Sequence, residues 1–240
     1  MGKHGKHRAL VRALAFFGAL IVGAPASAGC HLALALALDV SSSVDEAEYR
    51  LQRDGLALAL LSEEVQAHLF LSESDWIALA VYEWSGSRQQ QIVLDWVAIR
   101  SPEVLTDVVE QIATSTRSHD DFPTALGYAL GYGATLLERA PQCDRKTIDV
   151  SGDGISNDGF SPALAYNAFP FDGVTVNGLV IGGGILEVEE FYTREVIRGT
   201  NAFVETATSY LDFEDAMRRK LMREIGVRAV GQIPSTPTEG

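Results

Sequence analysis

Apolar positions recur along this chain in two alternating rhythms. Residues 31–38 (HLALALAL) form an apolar run that ends on Asp39. Alanine and leucine favour helices. The polar turn Ser41-Ser42-Ser43 and the acidic start Asp45-Glu46 follow at once, however, and that order predicts a buried strand and then a helix. Over 45–61 the apolar residues Tyr49, Leu56 and Leu60 share one helical face. Residues 76–84 (WIALAVYEW) repeat the buried-strand pattern, and 90–96, beyond the turn Ser85-Gly86-Ser87, form its hairpin partner. Ser101-Pro102 opens a helix to residue 113, with Ser as cap and Pro in the first turn. A helix over 123–138 follows, then a strand over 146–151 that runs into Gly152-Asp153-Gly154. Ser161-Pro162 caps a short helix. Residues 174–181 (VTVNGLVI) read as a strand, 187–198 as a helix and 202–207 as a short strand, and Asp212-Phe213 opens a last helix through 224.

Strands that alternate with helices build parallel βαβ units with helices on both faces. The expected fold is α/β: a doubly wound, mostly parallel sheet with one antiparallel edge strand. No internal repeat or linker divides it, so one domain is expected over 30–225.

Both flanks break the pattern. Lys3, Lys6, Arg8 and Arg12 precede an apolar run at 13–23 (ALAFFGALIVG) and the small residues Ala26-Ser27-Ala28. Basic, apolar and small in that order reads as a secretory signal over 1–28, which implies export to the periplasm or the medium. Two other readings stay open. One is a membrane anchor, for which the run is shorter than the roughly 20 residues a span needs; the expected mature chain carries no span. The other is a lipoprotein signal ending at Cys30, although Ser27-Ala28-Gly29 lacks a large aliphatic residue. Residues 226–240 (GVRAVGQIPSTPTEG) have no periodicity and read as a disordered tail.

Composition agrees with a globular domain, 47% apolar and 21% charged. The formal charge of −13 becomes −17 once the four basic residues of the signal are removed. Such a chain repels nucleic acid and anionic lipid and attracts cations, though the larger part of this charge reads as keeping an exported protein soluble.

Ligands of an open parallel sheet bind beyond the carboxyl ends of its strands, where strand order reverses. Those ends here supply Asp39, Ser41, Ser43 and Asp153, with Thr124 at the start of the helix after His119-Asp120-Asp121-Phe122-Pro123. Two carboxylates and three hydroxyls, without His or Cys, suit Mg²⁺, Ca²⁺ or Mn²⁺ rather than zinc or copper.

Asp-x-Ser-x-Ser after the first strand, a Thr at a helix start and a later Asp-Gly resemble the metal-ion-dependent adhesion site of von Willebrand factor A domains. Asp39, Ser41, Ser43, Thr124 and Asp153 match it one by one. The segments DVSSSVDEAEYRLQRDGLALAL, IDVSGDGISNDG and GVTVNGLVI are similar to a group of secreted bacterial A-domain proteins of unknown function. Two positions depart from the family: Phe122 stands where it usually has Gly two before the Thr, and Ser42 where Gly is frequent. The resemblance implies one divalent cation, Mg²⁺ first, ligated directly by the Ser and Thr hydroxyls and through water by the two Asp. It also implies one coordination position open to an Asp or Glu of a protein partner. That is a binding module rather than an enzyme, since no Ser-His pair or general base marks the strand ends. A metal-dependent hydrolase and capture of a small ligand remain as alternatives, and a deep closed pocket would favour them.

In the A-domain topology the strands that begin near Cys30 and Cys143 are parallel neighbours. Each Cys lies a similar distance before an Asp at the same sheet edge, so a disulfide between these two, the only cysteines, is expected in an exported protein. Free thiols or lipidation of Cys30 are the alternatives.

Other motifs carry less. DGISNDG at 153–159 lacks the Glu of a calcium loop, because Leu164 stands at its twelfth position. Gly182-Gly183-Gly184 reads as a flexible turn before a phosphate cradle. Asp120 and Asp121 read as a solvated loop before a second cation site. His31, His68 and His119 show no ligand spacing, and Trp76, Trp84 and Trp96 read as core and strand residues.

Overall fold

The first strand, β1 (Gly29–Asp39), sorts its side chains by size. Leu32, Leu34, Leu36 and Leu38 enter one buried cluster, and Ala33, Ala35 and Ala37 enter another on the opposite face. The computed structural model describes residues 1–2, 29–72, 75–184 and 186–226. The expected signal therefore lies outside the described residues, apart from Met1 and Gly2. So does the expected tail, apart from Gly226, which closes the last helix.

The remaining elements follow in order: α1 (Glu46–Leu61), α2 (Glu63–Leu69), β2 (Asp75–Trp84), β3 (Gln90–Ile99), α3 (Pro102–Ala113), α4 (Leu126–Glu138), β4 (Cys143–Gly152), α5 (Pro162–Ala168), β5 (Val174–Ile181), α6 (Leu186–Phe191), β6 (Val204–Ala207) and α7 (Phe213–Gly226). The sheet order is β3-β2-β1-β4-β5-β6. Only β3 runs antiparallel, paired with β2 at one edge. The leucine face of the sheet is covered by α1, α2, α3 and α7, and the alanine face by α4, α5 and α6.

Small sheet residues let α4 come close. A Cβ added to its Gly133 would lie 2.6 Å from the Tyr82 hydroxyl and 2.9 Å from Ile148 Cδ1. The helix starts are chemically marked. Asp45 accepts from the amides of Ala47 and Glu48, while the Glu48 side chain takes the Asp45 amide, a complete capping box. Ser101 and Ser161 cap helices that have Pro at the first position.

Two expected boundaries are corrected. The helix expected from 123 begins at Leu126, because the amides before it are already committed: Thr124 N donates to Asn157 Oδ1 (2.9 Å) and Ala125 N to the Ser85 carbonyl (2.8 Å). The helix expected over 187–198 stops being α-helical at Phe191. It continues as one π-turn, Tyr192–Val196, before Arg198 pairs with Val176 at the edge of β5. The π-turn seats Tyr192, fully buried, against the small positions Gly152 and Gly178. Trp84 is core as expected, whereas Trp76 and Trp96 are half-buried.

Cys30 and Cys143 are register partners on adjacent parallel strands and form a disulfide, with Cα atoms 4.5 Å apart. That separation suits the bond. Among the described residues no helix is long and apolar enough to cross a membrane.

Candidate metal centre

Strand order reverses between β1 and β4, so the loops after these two strands meet at the carboxyl edge of the sheet. Asp39 is the last residue of β1 and is fully buried. Its Oδ1 accepts the Ser41 amide at 2.8 Å. The neighbouring Ser41 side chain is also buried, with its Oγ 3.2 Å from Ser43 Oγ. Ser43 in turn donates to Asp153 Oδ1 at 2.7 Å, across to the loop after β4. Four of the five expected ligands thus form one chain of contacts. Ser43 is exposed and Asp153 half-buried, so the cluster opens to solvent on one side.

The fifth, Thr124, is buried in a loop whose backbone is fixed from two directions. The Phe122 carbonyl accepts Ser42 N (2.8 Å), which ties this loop to the one after β1. The Thr124 carbonyl accepts Asn157 N (2.9 Å), Asp158 N (3.2 Å) and Ser156 Oγ (3.2 Å), which ties it to the loop after β4.

The electrostatics are those of a site short of positive charge. Asp39 Oδ2 is buried and has no hydrogen-bond partner among the described residues. Burial first and the Asp153 carboxylate second push the Asp39 carboxyl up to about 7, against the Ser41 hydrogen bonds and Arg117, which lower it. A Cβ at Gly152 would come within 2.9 Å of Asp39 Oδ2 and 2.6 Å of the Tyr192 hydroxyl, so only glycine leaves that space clear. The Tyr192 hydroxyl is likewise buried without a partner among the described residues, and burial together with Asp39 and Asp153 holds its proton on firmly.

Several residues around the cluster went unnoticed in the sequence. Gln52 of α1, fully buried, donates to the Asp39 carbonyl (2.9 Å) and accepts from Ser151 Oγ (3.2 Å). A Gln on the apolar face of a helix was the available signal. Arg117 donates to the carbonyls of Val40 and Ser41, both at 3.1 Å. Buried Glu83 holds the same loop through the Ser118 amide (2.8 Å) and accepts the Tyr49 hydroxyl (2.9 Å). His119 packs edge-on against Phe122, ring centroids 5.4 Å apart, so one histidine does approach the site. It lines a cleft of about 410 Å³ with Tyr49, Arg53, Arg117 and Asp120, and none of the five expected ligands lines that cleft. Among the described residues no three His, Cys, Asp or Glu side chains gather, so Asp120 and Asp121 belong to no such group.

No curated protein matches the chain. Solved structures match its fold. Proximal thread matrix protein 1 from the mussel byssus is 18% identical, with a TM-score of 0.60 over 83% of this chain and 49% of that one. The same mussel protein has been solved with a zinc-occupied MIDAS motif. A von Willebrand factor type A structure from Catenulispora acidiphila is 15% identical, TM-score 0.59, over 82% of this chain and 43% of that one. The pilus adhesin SpaC from Lactobacillus rhamnosus GG is 11% identical, TM-score 0.55, over 81% and 30%. The chain spans about half or less of the length of each. At these identities the likeness is one of fold, and the fold is that of the von Willebrand factor A domain. Residues 29–229 match the family described as "Protein of unknown function (DUF1194)", and the chain belongs to that von Willebrand A-like family.

Proposed function

We propose that this protein is an exported binding module that holds one divalent cation among Asp39, Ser41, Ser43, Thr124 and Asp153 and through it binds an Asp or Glu of a protein partner. The observation that carries the reading is the buried, partnerless Oδ2 of Asp39 beside a second carboxylate and two linked hydroxyls. Such a group is costly unless a cation or donor meets it. When bound, the ion supplies a positive centre able to accept an outside carboxylate. All-oxygen donors favour Mg²⁺, with Ca²⁺ and Mn²⁺ as competitors, and the zinc in the mussel protein makes zinc worth including. Export is supported by the Cys30–Cys143 bond, which persists in oxidising compartments.

The exposure of Ser43 and the half-exposure of Asp153 favour a macromolecular partner over an enclosed substrate. A second reading, capture of a small anion by the same ion, draws on the neighbouring cleft with Arg117 and His119. Calorimetric titration of Mg²⁺, Mn²⁺, Ca²⁺ and Zn²⁺ into purified, EDTA-treated protein tests the shared premise. One ion per chain is expected, and Asp39→Ala should remove at least nine-tenths of the binding. Titrations unchanged in that variant would overturn the proposal.

A further inference from the structure

At the opposite end of the sheet, where β4 and β5 begin, lies a cavity of about 590 Å³ whose wall includes Arg145, Lys146, Arg198 and Arg223. That volume is of the size that holds a small organic ligand. The basic residues set it apart. Half of the described arginines and lysines pair with a carboxylate, and four of the seven that do not are these four. In a chain whose formal charge is −13, unpaired cations gathered at one cavity stand against the overall field.

Three of them are positioned by contacts other than an ion pair, although Arg145 also feels the carboxylates of Glu224 and Asp144 at longer range. The Arg223 guanidinium lies 3.7 Å over the Phe203 ring, and that of Arg198 4.9 Å over the Tyr166 ring. Arg145 donates to the Glu224 carbonyl at 3.0 Å. The loop that carries Arg198 is anchored as well. Val176 and Arg198 exchange both backbone hydrogen bonds (2.7 and 3.0 Å), and Gly199, at φ +96°, lies so close to β5 that an added Cβ would meet the Val174 carbonyl at 3.0 Å.

Acidic residues of the wall do not cancel this charge. Glu224 is buried and engaged from behind by Lys220 Nζ (3.0 Å) and Asn177 Nδ2 (2.7 Å). Lys220 also sits 3.1 Å from buried Asp149, whose carboxyl is pushed well above the usual carboxylate range by burial and by Glu224. Among the described residues of the wall, three carboxylates, those of exposed Asp144 and Asp172 and of the already engaged Glu224, stand against the four cations.

We propose that this cavity is a second binding site, for an organic polyanion the size of a tricarboxylate or a sugar phosphate, independent of the metal centre. Multivalent oxyanions match guanidinium groups by paired hydrogen bonds as well as charge.

The test is calorimetric titration of citrate, glucose 6-phosphate and inorganic phosphate into the purified protein in EDTA, repeated with Asp39→Ala to exclude any ion retained at the other end. We expect one polyanion per chain, binding preserved in Asp39→Ala, and affinity at least tenfold lower in the surface pair Lys146→Gln plus Arg198→Gln. Arg145→Gln plus Arg223→Gln should lose binding similarly, with circular dichroism and Tm reporting whether that pair is folded. Binding of no probe at millimolar concentration overturns the proposal. So does binding undiminished in the folded Lys146→Gln plus Arg198→Gln variant, or binding lost in Asp39→Ala.

Discussion

Ser43 Oγ donates to Asp153 Oδ1 at 2.7 Å, joining two loops 110 residues apart in sequence. Because β1 and β4 are register neighbours from Cys30 and Cys143 at one end to Leu38 and Ser151 at the other, this contact is the open end of one rigid ladder. Its other end is covalent. The site therefore sits on elements that cannot slide past one another, as a preformed ligand cluster requires.

Protonation of Asp39 should control the stability of the metal-free protein. Its carboxyl lies at about 7 in the fold against 3.8 ordinarily. The folded state thus holds the proton more tightly, so stability falls as pH rises through the window from about 4 to 7, and the full penalty applies above it. At about 1.4 kcal/mol per pH unit the penalty is at most about 4 kcal/mol. In EDTA at pH 8, Asp39→Asn should melt higher than the unmodified protein, and at pH 4 the two should agree. Added Mg²⁺ should raise the Tm of the unmodified protein only. Equal Tm values in EDTA across the whole range would show that Asp39 is not strained by its burial.

Partner binding should depend on the hydroxyls as well as the carboxylates. Ser41→Ala plus Ser43→Ala removes two candidate ligands and the link to Asp153 while leaving Asp39 in place. Any partner found should dissociate in EDTA, and this double variant should bind it at least tenfold more weakly, about 1.4 kcal/mol. Affinity that is indifferent to both treatments, measured by surface plasmon resonance, would place the contact elsewhere on the domain.

The disulfide should stabilise the fold without tuning the site. It closes a loop with a sequence separation of 113, for which chain entropy gives about 4–5 kcal/mol as an upper figure. Cys30→Ser plus Cys143→Ser should lower Tm by up to about 10 °C. Metal affinity, measured well below that Tm, should stay within about twofold of the unmodified protein, because the bond lies at the far end of the ladder from Asp39.

What the sequence made legible was whatever a local pattern controls. Asp39, Ser41 and Ser43 fall within one turn after an apolar run, and Asp153 follows a second run, so strand ends alone pointed to four residues that the fold brings together. The supporting contacts of Gln52, Arg117 and Asn157 depend on which loops become neighbours, and no periodicity encodes that. The helix α2 carries its signal openly in Ser62-Glu63-Glu64, yet it follows α1 without a break that periodicity detects. Residues 123–125 look like a helix start because Pro123 suits the first helical position. They are held out of the helix by Ser85 and Asn157, far away in sequence. The π-turn at Tyr192 is of the same kind, tied to packing against Gly152 and Gly178 rather than to a sequence mark.

Two glycines of α4 separate packing from positioning. Gly133 faces the sheet, where an added Cβ would press on Tyr82 and Ile148 side chains. Gly127 faces the Phe160 carbonyl, a backbone atom in the segment that also carries Ser156, Asn157 and Asp158. Those three residues hold the Thr124 loop through four hydrogen bonds to its amide and carbonyl. Side chains yield to crowding by rotamer changes at a cost of about 1–3 kcal/mol, partly offset here by the better helix propensity of alanine. A backbone segment yields only by moving. Gly133→Ala should therefore lower stability by about 1–2 kcal/mol and leave metal affinity unchanged. Gly127→Ala should displace the 156–158 segment and with it Thr124, weakening metal binding several-fold at temperatures where the variant is fully folded. Urea melts and calorimetric titrations of both variants provide the comparison. Equal metal affinity in the two would mean that the Thr124 loop keeps its place without the segment after β4, or that Thr124 is not a ligand.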